Sequence, residues 1–164
     1  KSYLDNTGIL GTIYTSITHN NKLYIGTNQG LFFKDLNSSS KFEFIQNTKG
    51  QVWSLFSYQN TLFCGHDSGT FIVNDTNANL IFAASGTWKF EPFSKGSNYI
   101  LQGNYNGISV LEKKNNNWVF KNKNKSINTG YYDCICFFNI NFYSSAITFN
   151  CIRYVFAQPR HIVK

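Results

Sequence analysis

From Ile13 onward the chain alternates between short apolar segments and clusters of turn-forming residues. Ile13-Tyr14-Thr15-Ser16-Ile17, Val52-Trp53-Ser54-Leu55-Phe56 and Trp88-Lys89-Phe90-Glu91-Pro92-Phe93 are three of these segments. Each is about five residues long, the usual length of a β-strand. Between such segments lie His19-Asn20-Asn21, Asn47-Thr48-Lys49-Gly50, Asp75-Thr76-Asn77 and Lys95-Gly96-Ser97-Asn98, which read as turns. With 18% aromatic residues and abundant Asn, the chain favours strands and turns over helices.

The segments repeat. Leu23-Tyr24-Ile25-Gly26-Thr27-Asn28-Gln29-Gly30-Leu31-Phe32-Phe33 recurs as Leu62-Phe63-Cys64-Gly65-His66-Asp67-Ser68-Gly69-Thr70-Phe71-Ile72, and again as Ile100-Leu101-Gln102-Gly103-Asn104-Tyr105-Asn106-Gly107-Ile108-Ser109-Val110. The glycine pairs Gly26/Gly30, Gly65/Gly69 and Gly103/Gly107 step by 39 and then 38 residues. Each unit also holds one apolar segment before its glycine pair and one after it, the latter at 41–45, 79–83 and 117–121. Four strands in so short a repeat cannot bury both faces of their own sheet, so successive units must stack as blades. The predicted fold class is all-β: a partial β-propeller of about three four-stranded antiparallel blades, approximately 11–49, 50–87 and 88–127, within a propeller region 1–130. The glycines are expected where the backbone turns with φ > 0; the alternative role for the first, which ends an apolar strand, is close packing between sheets.

A fourth unit would place glycines near 141 or 142 and 145 or 146, where Asn141, Phe142, Ser145 and Ala146 stand. Residues 131–164 contain no Gly and carry Cys134, Cys136 and Cys151, so they are expected to be a divergent blade or a non-family tail. The chain has no Met and opens in mid-pattern, which reads as a fragment of a larger protein. The four cysteines form no CxxC pair and no His stands at zinc-ligand spacing; Cys64, inside an apolar run, is expected to be a buried free thiol. No run of about 18 apolar residues could span a bilayer. The net charge of +7 suggests nucleic acid, but only Arg153 and Arg160 among 15 basic residues are Arg, and Lys113, Lys114, Lys121, Lys123 and Lys125 are spread among asparagines. No direct nucleic-acid binding is expected.

The repeat resembles that of the two-component-regulator propeller family, whose core reads apolar-aromatic-apolar-Gly-Thr-x-x-Gly-Leu. Residues 23–31 match nearly throughout; the second copy departs at His66 and Thr70, the third at Asn104 and Ile108. The resemblance covers about residues 10–127. It implies the extracytoplasmic, periplasmic ligand-sensing propeller of a bacterial inner-membrane regulator, acting in signal transduction and transcription regulation. In such proteins further blades, a triple-tyrosine domain, a membrane helix and a histidine-kinase or helix-turn-helix output follow, and these would be the partners of this segment. The ligand of related proteins is often a carbohydrate.

Connectivity places a ligand site. In an up-and-down blade the turns between second and third strands share a rim with the links between blades. That rim would carry Asn28, Gln29, His66, Asp67, Asn104 and Tyr105, with Trp53 and Trp88 as aromatic platforms for a sugar or other small ligand, or as ordinary blade core. Neither catalytic residues, nor a metal site, nor a cofactor is expected. His66-Asp67 is the most catalytic-looking pair, yet neighbours on an extended strand point to opposite faces, and no Gly-x-Ser-x-Gly elbow exists. His19, in its turn, is expected to face solvent. The rival reading is a protein-interaction scaffold without a sensor role, since fold alone does not fix function.

Overall fold

The computed structural model describes residues 7–124; the predicted divergent element at 131–164 lies outside the described residues, as do Cys134, Cys136 and Cys151. Among the described residues there is no helix, and the strands form three separate four-stranded antiparallel sheets that do not close into a ring. The first sheet holds β1 (Ile13–His19), β2 (Lys22–Thr27), β3 (Leu31–Asp35) and β4 (Glu43–Phe44); the second β5 (Val52–Tyr58), β6 (Thr61–His66), β7 (Gly69–Asn74) and β8 (Asn77–Phe82); the third β9 (Lys89–Pro92), β10 (Tyr99–Asn104), β11 (Gly107–Lys114) and β12 (Asn117–Asn124). In each sheet the spatial order follows the chain, as a propeller blade requires.

The asparagines make the tight turns. Asn20 and Asn21 between β1 and β2, Gln59 and Asn60 between β5 and β6, and Asn115 and Asn116 between β11 and β12 all have positive φ, from 46° to 63°. Two consecutive left-handed residues match the twist of a two-residue hairpin, and Asn tolerates that conformation best after Gly. The short β4 departs from the longer segment expected at 41–45. Beyond it, Ile45 donates its N–H to Leu31 (2.8 Å), after which Gln46 leaves the first sheet and bridges in parallel to Asn77 on β8.

The inner strand β6 of the middle sheet is buried on both faces, which is why it reads as a nearly continuous apolar run. On β6, Leu62 and Cys64 face the first sheet in a cluster with Tyr24, Leu31, Phe33, Ile45, Val52 and Phe71. Between them, Phe63 faces the third sheet and packs with Phe90, Ile100, Leu111 and Trp118. Alternation along one strand therefore supplies both inter-blade cores. Cys64 is a buried free thiol, and desolvation pushes its pKa well above the usual thiol range.

The structure divides the glycines of the first two pairs between the two roles. The second takes the positive φ, 144° at Gly30 and 147° at Gly69, where the third strand begins. The first is in strand conformation, and in the first two sheets it is a packing position: a Cβ on Gly26 would collide with Val52, and one on Gly65 with the Thr87 carbonyl and the Ser54 hydroxyl.

Candidate functional site

The second-to-third-strand turns and the inter-blade links meet at one end of the sheets and are stitched together by backbone hydrogen bonds. Gly50 donates its N–H to the Gln29 carbonyl (3.4 Å) and Asp67 to Gln51 (2.9 Å), joining the first two turns to the first link. In the second link, Gly86 donates to Asp67 (2.9 Å), Thr87 to His66 (3.0 Å), and Tyr105 donates to Ser85 (3.2 Å). The turns that carry six of the candidate residues thus share one rim. Asn28 is half-buried, and its side-chain oxygen accepts the N–H of Thr12 at 2.8 Å. Gln29 and Tyr105 are exposed, and the Asp67 side chain is 41% exposed.

His66 and Asn104 stand apart from these. They are 2% and 4% exposed and turn inward beneath the rim. Thr27, His66 and Asn104 hold the same place in successive repeats, directly after the first glycine of each pair, and all three are buried. Asn104 anchors a closed polar network: Thr87 Oγ1 donates to its Oδ1 (2.9 Å), Gln102 Nε2 to the same oxygen (3.1 Å), and its own Nδ2 donates to Ser109 Oγ (2.8 Å). Thr70 Oγ1 completes the network, donating to Gln102 Oε1 at 2.8 Å and lying 3.1 Å from Thr87 Oγ1. Buried hydroxyls and amides satisfied in this way hold the link against the blades. Sequence reasoning missed Thr48 and Thr87. Their signal was a threonine recurring at the repeat spacing inside two links that otherwise differ.

The expectation that His66 and Asp67 point to opposite faces is corrected. Asp67 is the first residue beyond β6, where strand alternation ends, and its carboxylate lies against His66 Nδ1. Ser68 places its backbone N–H (3.1 Å) and Oγ (2.8 Å) on the same nitrogen, while Nε2 faces the Thr48 carbonyl at 3.3 Å. A nucleophile relay needs its hydroxyl and its carboxylate on opposite ring nitrogens; here both occupy Nδ1. Burial lowers the His66 pKa, outweighing the opposing pull of Asp67 and of the Thr48 carbonyl, and so favours the neutral imidazole. His19 is also corrected: it ends β1, is half-buried, and its Nδ1 lies 2.8 Å from Ser57 Oγ.

The aromatic platforms sit on the first strand or, for Trp88, immediately before it. Thr15, Ser54 and Lys89 pair with Gly26, Gly65 and Gly103, and the residue before each is Tyr14, Trp53 and Trp88. In the first two sheets that residue is a bulge, an extra residue that redirects a side chain. Tyr14 and Trp53 stack with centroids 5.2 Å apart and planes 9° from parallel, and Trp88 lies 6.5 Å from Tyr105 at 56°. Trp53 and Trp88 are half-buried, with their Nε1 atoms buried and unpartnered. Tyr14 escaped sequence reasoning, although it precedes Trp53 by one repeat.

At the opposite end a cavity of about 380 Å³ opens between the second and third sheets, lined by Asn60, Asn74, Asn116, Asn117, Ile72 and Trp118 among others. None of the described residues forms a cluster of three or more His, Cys, Asp or Glu able to hold a metal, and no helix among them is long and apolar enough to cross a membrane.

Fold and rim together define a class: an all-β chain of propeller-type blades with one rim of aligned aromatic and polar side chains. Comparison with protein-family models, with curated proteins and with solved structures finds no match.

Proposed function

We propose that this chain is a non-catalytic, ligand-sensing propeller segment of a bacterial signal-transduction or transcription-regulatory protein, exposed on the periplasmic side of the inner membrane. The observation that carries the reading is the convergence of Gln29, Asp67, Tyr105, Trp53 and Trp88 on one rim, above a buried polar layer that the repeat conserves in position. Exposed turn residues are ordinary one at a time; their alignment with half-buried aromatic residues suits recognition of a small molecule, with apolar surface to bury and polar groups to orient it. The resemblance of residues 23–31 to the regulator propeller repeat supplies the signalling context. The first two rim turns are each hydrogen-bonded to the link leading into the next blade, through Gly50 to Gln29 and Gly86 to Asp67, so a ligand that shifts one of these turns also shifts the neighbouring blade.

The test is isothermal titration calorimetry of the full chain against a panel of neutral mono- and disaccharides and small organic ions. A triple variant, Gln29→Ala, Asp67→Asn and Tyr105→Ala, alters only exposed or half-exposed groups and should abolish binding of any ligand found. Unchanged affinity in the triple variant removes the rim as the site. One observation favours the scaffold reading instead: Leu80 and Phe120 are 49% and 38% exposed on the outer strands, with Phe82 stacked on Phe120 at 4.1 Å. Leu80→Ser with Phe120→Ser would then abolish binding to a partner protein while leaving the rim ligand unaffected.

A further inference from the structure

Three backbone hydrogen bonds draw Asp67, Tyr105 and Trp88 together: Gly86 N–H to Asp67 (2.9 Å), Tyr105 N–H to Ser85 (3.2 Å) and Trp88 N–H to Gly103 (3.1 Å). The Tyr105 ring lies across Gly86, where a Cβ would come within 2.5 Å of three ring carbons, and Gly86 has a φ of 68°. Only glycine gives the ring that seat. The other surface of Tyr105 is open, since the residue is 58% exposed, and the Trp88 ring is inclined to it by 56°.

Asp67 supplies the charge. It is the one carboxylate among the described rim turns and links; Lys49, the one cation there, lies in the link between the first and second sheets beside Gly50, where a Cβ would come 3.2 Å from Asp67 Oδ1. Asp67 is near enough to Tyr105 that, after burial, its charge is the second cause raising the phenol pKa. The Asp67 carboxylate lies against His66 Nδ1, whose pKa burial lowers, and no lysine or arginine pairs with the carboxylate among the described residues. Two inclined aromatic rings beside a half-exposed carboxylate attract a positive charge with an apolar periphery: ring faces favour cations, and methyl groups match their surface.

We infer that Asp67, Tyr105 and Trp88 form a binding site for a small organic cation of the quaternary or methylated ammonium class. The assignment rests on the rim reading and narrows its ligand class. A neutral ligand of the same shape would use the rings but gain nothing from Asp67, and a bare metal cation would find a single carboxylate.

The test titrates choline chloride, and separately its neutral isostere 3,3-dimethylbutan-1-ol, into the full chain at ionic strength held constant with NaCl, read by calorimetry. Choline should bind saturably, and the isostere at least about tenfold more weakly. Asp67→Asn and Tyr105→Leu should each weaken choline by about fivefold or more, the upper range for a cation over an exposed ring, whereas Tyr105→Phe should stay within about twofold. Near-UV circular dichroism confirms that each variant keeps the packing of its tryptophans. Equal binding of choline and the isostere, no choline binding, or unchanged affinity in Asp67→Asn overturns the cation assignment. If a neutral ligand still binds and the triple rim variant abolishes it, the rim reading stands while the cation assignment falls; if that variant leaves its binding intact, both fall.

Discussion

Replacing Gly65 with alanine adds one methyl group at a point where two blades touch. Gly65 is extended, so backbone strain plays no part, and relief of chain entropy would by itself stabilise the protein by about 0.5–1 kcal/mol. The new Cβ, however, meets the Ser54 hydroxyl and the carbonyl of Thr87. That carbonyl belongs to backbone held in place, because the Thr87 N–H is bonded to His66 at 3.0 Å and its hydroxyl is locked into the network around Asn104. Overpacking of this kind costs roughly 1–3 kcal/mol, and the close approach to fixed backbone puts this site toward the upper part of that range, leaving a net loss of up to about 2.5 kcal/mol. Gly103 occupies the same place in the third repeat, yet a Cβ there would lie 3.4 Å from Trp88 Nε1, an ordinary contact. Gly103→Ala should therefore be neutral or stabilising by up to about 1 kcal/mol. Urea unfolding at low protein concentration, followed by tryptophan fluorescence, separates the two: with a slope of about 1–3 kcal/mol/M, the midpoints should move in opposite directions. Gly65→Ala as stable as the parent, or Gly103→Ala as costly as Gly65→Ala, would refute the packing role.

Further outcomes follow from the same geometry. The folded-state pKa of His66 lies below its ordinary 6.5, so the fold binds fewer protons than the unfolded chain; the stability this contributes is complete above pH 6.5 and is lost as the pH falls through the lowered value. Urea midpoints should drop between pH 7 and pH 5, and His66→Asn should flatten that slope, leaving the part due to His19, whose pKa burial also lowers. Thr87→Val removes a fully buried hydroxyl shared by Thr70 and Asn104 and should cost about 1–3 kcal/mol in thermal unfolding, while Thr87→Ser should cost less than about 1 kcal/mol. Cys64, fully buried with its thiol kept protonated, should escape iodoacetamide in the native protein and be labelled in urea, as read by peptide mass spectrometry.

The blades were legible because one repeat wrote the same arrangement three times. Leu62-Phe63-Cys64, apolar at every position, announces a strand covered on both faces, and Phe63 and Cys64 do point into different cores. The paired glycines marked the shared rim, yet their division of labour depends on which neighbour crosses each backbone, and that neighbour comes from a link distant in sequence. His66 and Asn104 looked like rim residues because turn position is written in the sequence while burial is not. They sink because residues of the inter-blade links lie against them, Thr48 and Thr87 against His66 and Thr87 against Asn104. The contact between Asp67 and His66 escaped for a related reason: alternation holds only while the strand continues, and it ends at His66. The aromatic alignment was half visible, since Trp53 and Trp88 drew attention by their type while Tyr14 needed the bulge register to reveal it.

The central claim, that ligand recognition falls on the rim of aligned turns and links, is tested most directly by nuclear magnetic resonance of the ¹⁵N-labelled indoles during a ligand titration. Trp53 and Trp88 lie at the rim end of their strands, whereas Trp118 is packed against Phe63 and Tyr58 and borders the cavity at the other end. The account predicts saturable shifts of the Trp53 or Trp88 resonance with Trp118 unmoved. Shifts confined to Trp118 would place recognition at the opposite end and contradict it.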